Sequence, residues 1–304
     1  MIAPLLELRD ARIDAGERLV IEQLNLCSTA ERVGLLGRGR AVFDALCGLV
    51  QLTEGDLLVG GVPFGEAMRS HRYACACPWP APGAKRYDVT VFDGLVYSAM
   101  LAGCGAKEAQ RRSSAALARL GLAHFAKQRL PARVGLEHYL AGLVEAALFD
   151  PEIVVVDWPI AVLTEEAWAR YGTALSMLLG RRRFIAWVPG PARLPVERSW
   201  VGALDELLFL DGELSAKFAT GGAHIMRILL VVAASPTQIQ SAVDSSGLAL
   251  SPVAIRAQTG VARAAFVVEL AMDEFGRPCT ETVLTWCDRH QLPIVRLEPL
   301  GGVC

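Results

Sequence analysis

A chain of 304 residues, 53% of them hydrophobic, with 30 basic and 32 acidic side chains and a net charge of −2, is too apolar for a disordered protein. It lacks the basic excess that nucleic acid or an anionic lipid surface requires, and it is long enough to bury the core of one large or two ordinary domains. Nowhere do 18 uncharged apolar residues run together, so no segment is expected to span a membrane. The stretch Ile2–Leu8 is interrupted by Glu7 and closed by Arg9 and Asp10, unlike a signal peptide. The eight cysteines (27, 47, 75, 77, 104, 279, 287, 304) do not have the spacing of a disulfide scaffold. Cys75-x-Cys77 is the one close pair, and no second Cys/His pair completes the four ligands of a zinc site. Reduced thiols and no metal are expected.

Two amphipathic strands open the chain, around Leu5–Ile13 and Leu19–Leu26, and a third, Arg32–Leu36, leads to a helix over Ala41–Val50. Gly55–Gly60 reads as a strand closed by the Gly60-Gly61 turn. Pro78, Pro80, Pro82 and Gly83 mark a loop, because proline lacks the N–H that a ladder needs. From Thr90 to Leu148 apolar residues recur near every 3.6 positions, which predicts helices over Val91–Leu101, Lys107–Leu120 and Tyr139–Leu148. The stretch PEIVVVDWP sets four apolar residues before Asp157, the pattern of a parallel strand buried on both faces. Helix Glu165–Leu179 and strands Arg183–Val188 and Leu204–Leu210 follow, and the alternation predicts an α/β layered fold. Residues 219–224 read as a linker. Beyond them come strand Ile225–Ala234 and a helix opened by Ser235-Pro236-Thr237-Gln238 in capping-box order. Strands Leu248–Gln258 and Ala262–Ala271, helix Pro278–His290 and strand Leu292–Glu298 complete the order βαββαβ, a small α+β ferredoxin-like unit over 225–304.

The stretch GLLGRGRAVFDALCGL, Gly34 to Leu49, carries the most chemical meaning. A strand running through Gly34, Gly37 and Gly39 into a helix is the frame of a phosphate-binding loop, where backbone N–H groups and the helix N-terminus receive an anion. Such a loop also needs a lysine for the outer phosphates and a Ser or Thr hydroxyl for magnesium. Neither is present, and the first lysine of the chain is Lys85.

In the order and text of its segments, the part over 1–218 resembles the nucleotide-binding domain of ABC transporters. That resemblance implies a P-loop NTPase-like α/β fold with a helical subdomain at about 88–150. LLELRDARI followed by ERVGLLG is similar to the opening strands and the approach to the phosphate loop. ALCGLVQLTEGDLLVGG (45–61) resembles the next helix, strand and turn, and DVTVFDGLVYSAMLAG (88–103) the start of the helical subdomain. EAALFDPEIVVVDWP (145–159) resembles the strand of the second nucleotide motif, and DELLFLDGEL (205–214) the closing hairpin. The unit over 225–304 resembles the accessory domain that follows the ATPase in some exporters of this family.

The resemblance assigns roles that the residues cannot fill. Read without a gap, Gly34-x4-Gly39 is followed by Arg40 and Ala41 in place of lysine and hydroxyl. Read from the helix backward, the loop is three residues short and those positions fall on Gly39 and Arg40. The planar fork of arginine does not replace a threaded point charge, and alanine cannot ligate magnesium. Asp157 stands at the magnesium-orienting aspartate, but the catalytic glutamate is Trp158, and an indole cannot take a proton from water. Pro189, in Val188-Pro189-Gly190, stands at the phosphate-sensing histidine. Cys77-Pro78-Trp79 replaces the glutamine loop, and Ala15 the adenine-stacking aromatic. Arg133-Val134-Gly135-Leu136-Glu137 matches the signature that meets the partner subunit's nucleotide, without its serine and one glycine. Loss at every chemical position but Asp157, beside a persisting scaffold, predicts a degenerate nucleotide site.

Blander roles compete at each position. Asp157 is expected to anchor hydrogen bonds rather than hold magnesium, and Trp158 to pack. Arg38 and Arg40 could take an anion at the helix N-terminus or line a solvated loop. Glu137-His138-Tyr139 has the look of an acid–base cluster, but at a helix start it is expected to cap and to lie at the surface. His71, His124, His224 and His290 have no partners at ligand spacing. Arg181-Arg182-Arg183 reads as a solvated turn, with attraction to a membrane surface as the lesser reading. No Ser-His-Asp or Cys-His arrangement can be drawn from the spacing.

The resemblance implies a non-hydrolysing ABC-type subunit, cytoplasmic and peripheral at the inner face of the cytoplasmic membrane. It implies a membrane permease or an intact ABC ATPase as partner; the sheet edges of 225–304 suggest a homodimer as the alternative, the lost site residues predict no bound cofactor, and the charge balance predicts no nucleic acid. Two other readings stay open. One is a weakly active ATPase that uses ATP and magnesium with Arg40 in place of lysine; the other is a scaffold unrelated to transport.

Overall fold

In chain order the first part of the protein contains β1 (Leu6–Ala15), β2 (Arg18–Ser28), β3 (Arg32–Gly37), α1 (Gly39–Leu46), β4 (Leu52–Val59), β5 (Val62–Pro63), α2 (Phe64–Arg69) and β6 (Tyr73–Ala76). Three helices follow: α3 (Val91–Leu101), α4 (Ala106–Arg119) and α5 (Leu136–Ala146). Then come β7 (Ile153–Asp157), α6 (Glu165–Leu179), β8 (Arg183–Trp187), α7 (Pro195–Gly202), β9 (Glu206–Asp211) and β10 (Leu214–Ala219). The computed structural model describes residues 3–15, 18–37, 39–79, 89–131, 133–159, 162–189, 195–211, 214–219, 225–245, 248–255, 263–271 and 280–302.

A small antiparallel sheet of order β2-β1-β4-β5 covers one face of a second sheet in which β9, β3, β8, β7 and β6 run parallel and β10 adds an antiparallel edge. Strand β7 accounts for this layering. Side chains alternate along a strand, so Ile153 and Val155 join the core under β1, β2, β4 and α1, while Val154 and Val156 join the core under α3 to α6. A strand that must be apolar on both faces reads as an unbroken apolar run, as expected here. Helix α3 begins at Thr90, whose hydroxyl accepts from the Asp93 N–H at 3.2 Å, and α6 begins likewise at Thr164.

Four elements had no counterpart in the sequence reading, β5, α2, β6 and α7, and β10 was implied only by the resemblance of 205–214 to a closing hairpin. Helix α1 also stops earlier than predicted. Gly48 takes φ +70°, its N–H bonds to the Ala45 carbonyl at 3.0 Å, and the Leu49 N–H bonds to that of Asp44 at 2.9 Å. This is a Schellman ending, with Cys47 held at the C-cap.

The last part of the chain contains β11 (Ile225–Ala233), α8 (Pro236–Asp244), β12 (Ala249–Ile255), β13 (Arg263–Ala271), α9 (Thr280–Arg289) and β14 (Ile294–Gly302). These strands are antiparallel in the order β14-β11-β13-β12, the ferredoxin-like arrangement. Leu230, Val232, Phe266 and Val268 pack against Val283, Trp286 and Cys287 of α9. The unit is not the detached module that a linker at 219–224 suggests. Ala219 still belongs to β10, residues 220–224 lie outside the described residues, and β12 pairs with β10 through Leu214↔Ile255 and Ser215↔Ala254. The result is one ten-stranded sheet. Two open edges met, and pairing them satisfies backbone groups that would otherwise face solvent.

Candidate functional site

The residues with expected nucleotide roles come from the ends of β3, β7 and β8 and the start of α1. Strand β3 ends at Gly37, with φ +63°, and α1 begins at Gly39. A single residue, Arg38, joins them and lies outside the described residues. Gly34 lies inside β3, where a Cβ would approach the Leu207 side chain to 2.5 Å, so it serves close packing of strand and neighbour rather than a cradle. A Cβ on Gly39 would come within 3.0 Å of Leu35, which holds the helix start tight against the strand. Ala41 is buried in the first turn.

Arg40 faces the end of β7. Its Nε donates to Asp44 Oδ1 at 2.7 Å, one helical turn on, and its Nη1 stands 3.5 Å from Asp157 Oδ2. The guanidinium also lies 5.1 Å from the centre of the Phe43 ring. Burial works against this charge, but Asp157 and Asp44 outweigh it and hold Arg40 above its ordinary value. Burial pushes the Asp157 carboxyl up, and Arg40 opposes that rise. The arginine thus supplies the positive charge next to this carboxylate.

Trp158 is 1% exposed. Its N–H bonds to the Trp187 carbonyl at 3.3 Å, and its indole meets Phe184 and Trp200 at centroid distances of 6.4 and 6.2 Å. The indole Nε1 is buried with no hydrogen-bond partner among the described residues. Pro189 follows β8 and is exposed, and the preceding Val188 N–H bonds to Leu35 at 3.0 Å. Ala15 ends β1.

Arg133 and Val134 are exposed, and Gly135 and Leu136 form the entry to α5. There the His138 Nδ1 accepts from the Gly135 N–H at 3.2 Å. The capping role expected of Glu137-His138-Tyr139 is present, but a surface location is not. His138 is 1% exposed and Tyr139 9%, because the helix turns both toward the core. Burial lowers the His138 pKa and raises that of Tyr139 to about 12, with Asp157 adding to the latter. Tyr139 packs edge-on against Tyr171 at 6.1 Å.

Segment 77–79, at the glutamine-loop position, is a packing wedge. The Trp79 N–H bonds to the His138 carbonyl at 3.0 Å. Its ring lies where a Cβ on Gly94 would come within 2.1 Å, and the Cys77 carbonyl oxygen lies 1.8 Å from a Cβ built on Gly142. The sequence reading missed what gathers beside it. Cys47, thirty residues away in the chain, brings its sulfur to 3.6 Å from Cys77 Sγ, next to Cys75. The Cys75 Sγ lies 3.4 Å from the Leu46 carbonyl, which also receives the Tyr73 hydroxyl.

No family profile matches the chain. Among curated proteins it is similar to the Fe(3+) ions import ATP-binding protein FbpC of Rhizobium etli, with 27% identity over 147 residues, or 46% of this chain. The chain spans 39% of that relative's length in the match. Among solved structures it resembles an ATP-binding subunit of an ABC transporter (19% identity, 71% of this chain, 90% of that one, TM-score 0.53). It also resembles CbiO1 of Clostridium perfringens, part of the complex cbiONQ (13%, 72% and 89%, TM-score 0.56). A nucleotide-free ATP-binding cassette gives 14%, 71% and 91%, with TM-score 0.58. The chain has the P-loop α/β fold of ATP-binding cassettes. No helix among the described residues is long and apolar enough to cross a membrane.

Proposed function

We propose that the protein is a non-hydrolysing subunit with an ATP-binding-cassette fold, a structural or regulatory component of a membrane-associated, ABC transporter-like complex. The observation that carries this reading is the Arg40–Asp157 pair at 3.5 Å, set beside a strand-to-helix connection of one residue. A phosphate loop works through a series of free backbone N–H groups around the anion. One linking residue leaves no length for that wrap, and the guanidinium lies where Asp157 would orient magnesium. Trp158 supports the reading from the other side, since a buried indole offers no base for water. Positions 133–137 serve as a helix entry rather than a nucleotide contact. ATP and magnesium are not required on this reading.

The named relatives are import or transporter ATP-binding proteins, which favours a permease or an intact ATPase as partner and a peripheral place at the inner face of the cytoplasmic membrane. A homodimer through 225–304 is the other assembly to test. Titration calorimetry with Mg-ATP should give no binding in the micromolar range, which would represent about −8 kcal/mol. Turnover that disappears in Arg40→Ala would replace this reading with that of a weakly active ATPase. Native co-purification from membranes that recovers no permease or ATPase, with a monomer in light scattering, would leave the scaffold reading in its place.

A further inference from the structure

We propose that Cys47 and Cys77 form a reversible oxidation site, whose product is a Cys47–Cys77 disulfide tying the C-cap of α1 to the segment that follows β6. The two sulfurs stand 3.6 Å apart and both residues are half-buried, within reach of a small oxidant. A disulfide needs about 2.05 Å between sulfurs, so the two sulfurs must close by about 1.5 Å. Backbone on both sides is fixed. Cys47 is the C-cap residue of a Schellman ending, and the Cys77 carbonyl is wedged against Gly142 of α5. Cys75, two residues earlier at the end of β6, also interacts with the Cys47 thiol, while its sulfur bonds toward the Leu46 carbonyl and the Tyr73 hydroxyl. Among the described residues no set of three Cys, His, Asp or Glu side chains is arranged to hold a metal ion.

With hydrogen peroxide as oxidant, one thiolate attacks the peroxide oxygen, the O–O bond breaks, and a sulfenic acid and hydroxide form. The second thiol then attacks the sulfenic sulfur, and water leaves as the S–S bond forms. In sum two thiols and one peroxide give one disulfide and two waters, and two electrons pass from sulfur to peroxide. A dithiol reductant reverses the bond by exchange. The bridge would fasten the helix that follows the β3–α1 connection to the wedge of residues 77–79, and through Gly142 and Gly94 to the helical subdomain.

The test is peptide mapping of the full-length protein after peroxide treatment, alkylation of free thiols and trypsin digestion. Trypsin cuts after Arg40, Arg69, Arg72 and Lys85, which places Cys47 in peptide 41–69 and Cys75 with Cys77 in peptide 73–85. The expected result is a joined 41–69/73–85 species two hydrogens lighter than its parts. It should disappear on reduction and in Cys47→Ser, and persist in Cys75→Ser. An internal Cys75–Cys77 bridge, loss of the joined species in Cys75→Ser, or full alkylation of all three thiols after peroxide would each overturn the proposal.

Discussion

Replacing Trp158 with glutamate would restore, by resemblance, the missing general base, and the packing around this residue predicts that the protein will not accept it. Trp158 is 1% exposed and packed among Phe184 and Trp200. An aromatic side chain withdraws about 150–250 Å² from water, which at about 25 cal/mol per Å² gives about 4–6 kcal/mol as an upper limit. Glutamate's two methylenes recover part of that, but its carboxyl enters an apolar site, at about 1–3 kcal/mol even when protonated. Arg40 cannot neutralise it without leaving Asp44 and Asp157. The net cost is about 4–6 kcal/mol, comparable with the whole stability of many domains. Urea unfolding followed by far-ultraviolet circular dichroism, alongside an ATP turnover assay, should show Trp158→Glu strongly destabilised and inactive. Trp158→Phe should lose only about 1–2 kcal/mol, since the indole N–H has no partner to forfeit among the described residues. A Trp158→Glu protein within about 1 kcal/mol of the parent, or one that gains Mg-ATP turnover, would refute the reasoning.

Gly142→Ala should cost about 3 kcal/mol in denaturant unfolding, because its Cβ would sit 1.8 Å from the Cys77 carbonyl oxygen and no flexible side chain can move aside. Arg40→Ala should cost about 1–2 kcal/mol at neutral pH, a partly exposed version of stranding a buried charge. The Asp157 carboxyl is already raised by burial, so the folded state binds its proton more tightly than the unfolded state and the Arg40→Ala deficit should shrink as pH falls through that raised value. Tyr139, pushed up to about 12 by burial, should add stability that is fully present below the ordinary phenol value of about 10 and lost as pH rises toward 12. An ultraviolet phenolate titration that assigns Tyr139 an ordinary midpoint, by comparison with Tyr139→Phe, would contradict this.

The parts of the fold that were legible in the sequence are those where one short-range pattern decides. The run Ile153–Asp157 had to be a strand buried on both faces, and the helices over Val91–Leu101 and Glu165–Leu179 have the bounds expected of them. The elements that were missed lack such a pattern. Strand β6 is only Tyr-Ala-Cys-Ala, too short and too small in its side chains to show alternation, and it exists because β7 offers a parallel edge. The joining of β12 to β10 rests on two residue pairs between edges, which no local periodicity encodes. At the candidate site, reading Gly34–Leu49 against the phosphate-loop motif is what marked the lysine and hydroxyl as absent from the sequence. The Arg40–Asp157 pair and the approach of Cys47 to Cys77 could not be read, since each joins residues brought together only by the parallel sheet.

On the proposed reading the replacements at this site are one repair rather than a set of separate losses. A carboxylate at the end of a buried parallel strand is costly unless a cation attends it. In a working nucleotide site a magnesium ion and a lysine play that part. If no anion is held at the start of α1, as this reading expects, Asp157 would be left alone. Arg40, in the first turn of α1, reaches it at 3.5 Å and is steadied by Asp44 and the Phe43 ring. Once no water must be activated, the next position is free to be apolar, and Trp158 fills the space beside Phe184 and Trp200. Each change removes chemistry and adds packing or charge balance at the same atoms, so the layered fold keeps its stability while the nucleotide becomes dispensable to it. Restoring a single catalytic group therefore disturbs the balance that the others now maintain, which is why recovery of activity by one substitution is not expected.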